Sequence, residues 1–255
     1  MIRASVALGR RGLRNAFRRP QFLAPLIIFP TLFLAVNVGG LNRTTDLPGF
    51  PEVDGFLDFQ LAAAITQSLM LGGVSSGIAM ALEIEGGFFD RMVAAPIPRT
   101  AIVLGRLITT AVLAVAQIAY FVVLGLVFGA SIKGGFEGLL VMLGIGTLAG
   151  IGFGAIGTTL ALRAKSASTV QGIFPLVFVV LFISSAFFPR ALLSSPSDTI
   201  AEYNPLSYIA DGLRDPIIST VNAAPVLEGL AAAGLVAVAG TALSVLALRG
   251  RLRDA

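Results

Sequence analysis

Residues 107–130 read LITTAVLAVAQIAYFVVLGLVFGA and lie between Arg106 and Lys133 without one charged side chain. A helix needs about 20 mostly apolar residues to cross the hydrocarbon layer of a bilayer. This interval therefore holds one spanning helix and is too short for two. The pattern recurs on both sides of it. Arg19 and Arg43 bracket a first span near 21–41, and Asp58 and Glu83 a second near 59–82; the quoted stretch is the third. Glu137 and Arg163 bracket a fourth near 138–162, Lys165 and Arg190 a fifth near 166–189, and Glu228 and Arg249 a sixth near 229–248. The expectation is an all-α integral membrane fold of six transmembrane helices, with residues 1–255 forming one transmembrane domain.

Composition agrees with that reading. The chain is 56% apolar and 13% charged, against about 25% charged residues in an average soluble domain. It has no Cys and no His, which excludes disulfides, thiolate metal sites and Ser-His-Asp or Cys-His catalysis. The net charge of +4 sits in clusters between apolar stretches, as basic loops of a membrane protein do, and does not call for nucleic acid.

Residues 1–20 carry six Arg and lack the apolar core and cleavage site of a signal peptide. At 100° per residue Ile2, Val6, Leu13 and Phe17 share a narrow arc, and the arginines fill the rest of the wheel. That predicts an amphipathic helix lying in the headgroup layer, which Pro20 turns into the first span. Orientation comes from the basic residues. With the N-terminus inside, segments 1–20, 83–106, 163–165 and 249–255 hold 14 of them, and the outer segments hold only Arg43, Lys133, Arg190 and Arg214. Acids run the other way, four inside and ten outside. Both termini are therefore expected in the cytoplasm.

Two connecting segments carry most of the remaining information. In 83–106, Gly86 and Gly87 permit a bend, and Pro96 and Pro98 limit the helix beyond it. Between the two pairs Phe88, Phe89, Met92 and Val93 form one face of a short helix. An exposed apolar face rimmed by Glu83, Glu85, Asp90, Arg91 and Arg99 suits docking into a partner's groove. Segment 190–228 is too long for a simple turn. Asn204-Pro205 reads as a helix start with Tyr208, Ile209 and Leu213 on one side, so short re-entrant helices in the outer leaflet are expected before the last span. Gly146, Gly150 and Gly154 repeat every four residues, a spacing that lets helices pack closely.

The spans as drawn hold no Asp, Glu, Lys or Arg, which argues against proton-coupled transport. No phosphate-cradling P-loop is present either, since Lys165-Ser166 lacks the glycines before it. Gly-Val-Ser-Ser-Gly around Ser75 imitates a nucleophile elbow, but with no His and in an apolar span it reads as packing. Asn42-Arg43-Thr44 reads as a glycosylation sequon, which would mean little if the chain were bacterial. The chain is thus expected to bind no cofactor or metal and to draw energy from elsewhere.

Two blocks resemble a known family. The first is EIEGGFFDRMVAAPIPR at 83–99, then LGR at 104–106. The second is SSAFFP at 184–189, then EYNPLSYIADGLR at 202–214. Both are similar to the ABC-2 type permeases of ATP-binding-cassette exporters, most closely those of daunorubicin-type drug exporters; Phe88, Phe89, Ala95 and Arg106 stand where that family often has Thr, Leu, Thr and Lys. The resemblance implies a half-transporter in a bacterial plasma membrane, paired with a second copy or a related permease. Two cytoplasmic P-loop ATPase subunits carrying ATP and Mg would drive it, with lipid around it. It implies a coupling helix using Glu83, Glu85, Gly86, Phe88, Phe89, Asp90, Arg91, Met92, Pro96 and Arg99. It also implies an external re-entrant gate using Phe187, Phe188, Pro189, Asn204, Pro205, Tyr208 and Arg214. The uniformly apolar spans suit export of an amphipathic drug-like or lipid-like substrate. A secondary transporter, a channel or a non-transporting scaffold are the alternatives left open.

Overall fold

The computed structural model describes residues 1–164 and 166–253. Lys165, the expected flank of the fifth span, lies outside the described residues, as do Asp254 and Ala255. Among the described residues the regular structure is helical throughout. Helix α1 runs Ile2–Arg18 and α2 Pro20–Leu41, α3 Phe56–Glu85, α4 Phe88–Ala94, α5 Thr100–Val127 and α6 Gly135–Ala164. After them come α7 Ala167–Gly172, α8 Phe174–Phe182, α9 Ser197–Tyr203, α10 Pro205–Ile218 and α11 Ala223–Arg253.

Five helical segments are long and apolar enough to cross a membrane: Pro20–Asp46, Phe56–Glu85, Thr100–Val127, Gly135–Ala164 and Ala223–Arg253. Each contains one of the expected spans almost entire and continues past it. Helix α3, for example, has 30 residues and is about 45 Å long at 1.5 Å per residue. Its bracketing charges Asp58 and Glu83 sit in its first and last turns.

The fifth expected span, 166–189, departs from that rule. It is helical only as α7, of 6 residues, and α8, of 9, together short of a full crossing. The causes are local. Pro175 supplies no backbone N–H near the join. At the far end the Ser184 hydroxyl donates to the Leu181 carbonyl, and Ser185 N–H donates to Ser207 Oγ at 3.1 Å instead of continuing the helix. Residues 183–189 therefore form a non-helical turn seated against α10.

Lipid offers little hydrophobic drive for helices to associate, so close backbone approach matters. A Cβ added at Gly73 would lie 2.6 Å from the Phe153 carbonyl, and one at Gly77 2.7 Å from that of Gly157, which brings α3 against α6. Gly240 meets Gly152 O in the same way, joining α11 to α6 at 2.8 Å. The Gly146–Gly150–Gly154 repeat faces Ile118, Ala114 and Thr110 of α5, so it packs within this chain, as expected. Helix α3 is at the centre, flanked by α2, α5, α6 and α10.

The segments expected in the cytoplasm collect at one end of the bundle, here called the basic end. Arg11, Glu83 and Arg106 meet there, Glu85 accepts from Ala167 N at 2.8 Å, and Arg251 reaches the Leu162 carbonyl at 3.4 Å. At the other end Lys133 pairs with Asp54 at 2.9 Å and Gly134 N donates to Pro216 O at 2.9 Å. Lys133 holds the Asp54 carboxyl below its usual range by hydrogen bond and charge. Helix α10 does not cap this end. It is buried against α3, α6 and α11, with Ile209 and Leu213 wholly covered.

Candidate functional site

Two clusters contain the residues singled out in the sequence, one at each end. At the basic end α3 stops at Glu85, and Gly87 comes two residues later with φ +68°, a left-handed conformation that glycine takes without a Cβ clash. The chain reverses into α4, as the glycine pair predicts. The apolar face of α4 does not face solvent, contrary to the reading of an exposed docking face. Phe89 is 2% exposed and Met92 7%. They pack with Met80, Ile84, Ile102, Val103 and Leu248, and the Arg251 guanidinium lies 5.1 Å over the Phe89 ring. A seven-residue helix has no stability of its own, and burial of that face on the ends of α3, α5 and α11 holds it in place. The outward side of α4 and its flanks is polar or bent: Glu85, Gly86, Asp90, Arg91, Pro96 and Arg99 are exposed.

Beneath α4 sits a shared carboxylate. Glu83 takes Arg11 Nη1 of α1 at 2.8 Å on one oxygen and Arg106 of α5 on the other. The side chains of Glu83 and Arg106 are only 15% and 9% exposed. Arg11 also lies 3.5 Å over the Phe88 ring. Glu83 thus ties α1, α3 and α5 together, and Arg11 adds α4 through Phe88. Arg106 Nη2 serves both Glu83 Oε2 and Met80 Sδ, the latter at 3.6 Å. Glu83 and Glu85 bind elements of the chain itself, so neither is a free rim charge.

At the opposite end Arg214, counted among the outer charges, is 5% exposed. It pairs with Asp211, donates to the Ala186 carbonyl at 2.6 Å and the Phe59 carbonyl at 3.2 Å, and lies 3.9 Å over the Phe59 ring. Asp211 also accepts from Ser185 Oγ at 3.2 Å. Arg214 is buried because the non-helical turn 183–189 leaves carbonyls that need a donor, and its fork supplies several. Asn204 caps α10 by accepting from Leu206 N at 3.0 Å and donates to the Val180 carbonyl at 2.9 Å. Pro205 is the first residue of that helix, and Tyr208 donates to Glu202 O at 2.8 Å. Phe187 is buried in an aromatic group with Phe33 and Phe182, Pro189 is buried, and Phe188 is 43% exposed. The two blocks SSAFFP and EYNPLSY are therefore halves of one structure.

Sequence reasoning missed Asp211, Ser185, Ser207 and Phe59. The Asp211–Arg214 spacing of three on one helix was a visible signal; the role of Phe59 was not, since it acts through its backbone and ring. It also missed the polar groups inside the bundle. Gln67 is 0% exposed with no partner on either amide atom, and Gln117 Nε2 is likewise unpartnered.

Residues 3–218, including both blocks, match the family model of the ABC-2 type transporter. The chain is 29% identical over 219 residues to the ycf38 transport permease of Porphyra purpurea, covering 84% of this chain and 74% of that one. It is 27% identical over 224 residues to the daunorubicin resistance ABC transporter permease of Streptomyces coeruleorubidus, covering 86% of this chain and 77% of that protein. With spanning helices, a reversed α4 and the paired SSAFFP–EYNPLSY structure in place, the chain belongs to the ABC-2 type transporter family and is a multi-pass membrane transport permease.

Proposed function

We propose that this permease is the membrane half of an ATP-driven exporter, worked from the basic end by a separate P-loop ATPase. The supporting observation is the linkage at Glu83. A force on α4 passes through Glu83 and Phe88 to α1 and α5, and through Glu85 to α7, without any energy-yielding site in the chain itself. The exposed, charged outer side of α4, with Asp90, Arg91 and Arg99, is the surface offered to that partner. Its apolar side serves as the anchor that transmits the push.

The basic end is then cytoplasmic, with both termini there, and the membrane is the plasma membrane of a bacterium. Two ATPase copies work with two permeases, this chain twice or with a related one. The substrate class is an amphipathic drug-like or lipid-like molecule, in keeping with the permease relative named for daunorubicin resistance. Affinity purification from native membranes tests the reading. A P-loop ATPase should co-elute with the tagged permease and be released by charge reversal at Asp90 and Arg91. A permease that supports export in membranes from which every co-eluting ATPase is absent would exclude it.

A further inference from the structure

The exporter reading does not use a cavity of about 260 Å³ that opens beside the Glu83 cluster, between α1, α2, α3 and α5. Its polar end is lined by Arg11, Asn15, Arg19, Glu83 and Arg106. Three guanidiniums face one carboxylate. Arg11 and Arg106 each spend part of a five-donor fork on Glu83, and Arg19 has no acceptor among the described residues. The apolar part of its lining is formed by Phe22 and Leu23 of α2 and Leu113 of α5. On the α3 wall Ser76 lines the cavity; it is 8% exposed, and its hydroxyl has no hydrogen-bond partner among the described residues. An unpartnered buried hydroxyl is costly unless something arrives to satisfy it.

From this geometry we infer that the cavity binds the anionic head group of a membrane amphiphile. A surplus of two positive charges repels a cationic amine and attracts phosphate or carboxylate. Arg19 at the rim is free to close on an oxyanion with charge-assisted bonds. The volume is below the range of sites that enclose a whole drug-sized ligand, so it takes a head group and the first carbons while the acyl chain stays in the bilayer beside Phe22 and Leu23. Gly72 and Ala79 also line the cavity on its α3 side. The inference needs the chain in a membrane but no ATPase, so it stands or falls apart from the export reading.

The chain has no Trp, so a single introduced one reports on its own surroundings. The permease with Leu23→Trp, and separately with Leu113→Trp in case one of them misfolds, is reconstituted in phosphatidylcholine vesicles containing a minor share of phosphatidylglycerol. Bromination of one lipid or the other measures which quenches the indole. Phosphatidylglycerol should be enriched at the cavity about fivefold over its bulk share, the worth of one uncompensated basic side chain at an anionic membrane surface. Arg19→Gln should reduce the enrichment and high salt should weaken it. A Val36→Trp reporter, on the exposed part of α2, should show none. If excess inorganic phosphate displaces the lipid, a free anion is also a ligand of the site; if it does not, the source is the lipid head group, and either result supports the inference. Quenching that tracks the bulk lipid ratio at both cavity reporters, enrichment undiminished by Arg19→Gln, or equal enrichment at Val36 would overturn it.

Discussion

Arg214 and Asp211 show what a charged residue does when the backbone around it is irregular. The turn 183–189 leaves carbonyls out of any helix, and the Arg214 fork satisfies those of Ser185 and Ala186 together with that of Phe59. Removing it should leave these carbonyls unpaired and Asp211 with Ser185 Oγ alone. Arg214→Ala is expected to cost roughly 1–3 kcal/mol, the scale for stranding buried polar groups. It should lower the melting temperature of the detergent-solubilised permease sharply. Arg214→Lys should recover only part, because an ammonium lacks the fork. The double change Arg214→Met with Asp211→Leu should be less damaging than Arg214→Ala alone. At this scale the sequence was partly legible. Asn204-Pro205 as a helix start was readable from capping chemistry, and the structure keeps it. That Arg214 would be buried was not, since the reason is a partner segment some thirty residues upstream that looked helical.

Among the elements, α4 separates two roles that the sequence had merged. Its periodicity correctly marked a short helix with one apolar face, but a wheel cannot say which neighbour takes that face. Here the ends of α3, α5 and α11 take it. Phe89→Ala should therefore act on folding. A loss of roughly 3 kcal/mol is expected from a vacated aromatic site, seen as reduced melting temperature and poor yield. Asp90→Ala should leave melting unchanged and weaken retention of the ATPase, by less than a buried anchor would. If Phe89→Ala melts like the parent, the inward packing of α4 is wrong. Helix α1 carries a similar lesson. Ile2, Val6 and Phe17 are exposed as an interfacial face should be, while Ser5 and Gly9 are buried. Thr109 Oγ1 donates to the Gly9 carbonyl at 3.1 Å. The apolar arc was legible from its period; the small-residue face docked on α5 had no hydrophobic signal to betray it. Gly73 tests the core contact directly. Gly73→Val would force α3 off the Phe153 carbonyl, at about 1–3 kcal/mol as overpacking typically costs. The same change at Gly39, with open space around it, should be tolerated. Equal melting of the two variants would contradict the close α3–α6 approach.

Across the molecule, the charge-free intervals located the long helices because lipid leaves so few choices of structure. They failed only at 166–189, where length was right but serines offered the backbone other partners and Pro175 withheld a donor. The distribution of Lys and Arg sets a topology that the chain's lack of Cys makes easy to test. Single cysteines at Pro48 and Ser194 should react with an impermeant thiol reagent in intact cells. Those at Ser168 and Gly250 should react only after permeabilisation. The opposite pattern would reverse the orientation and place α4 outside, away from any cytoplasmic motor.

The central claim, that this permease moves its substrate only when a separate ATPase drives it through the basic end, is tested most directly in proteoliposomes. ATP hydrolysis and release of an amphipathic fluorescent cargo are measured with the permease alone, the ATPase alone and the two together. The account predicts no hydrolysis by the permease, substrate flux only when both are present with ATP and Mg, and loss of flux on charge reversal at Asp90 and Arg91 with the permease still folded. Flux through the permease alone that tracks an ion gradient, or hydrolysis by the homogeneous permease, would contradict it.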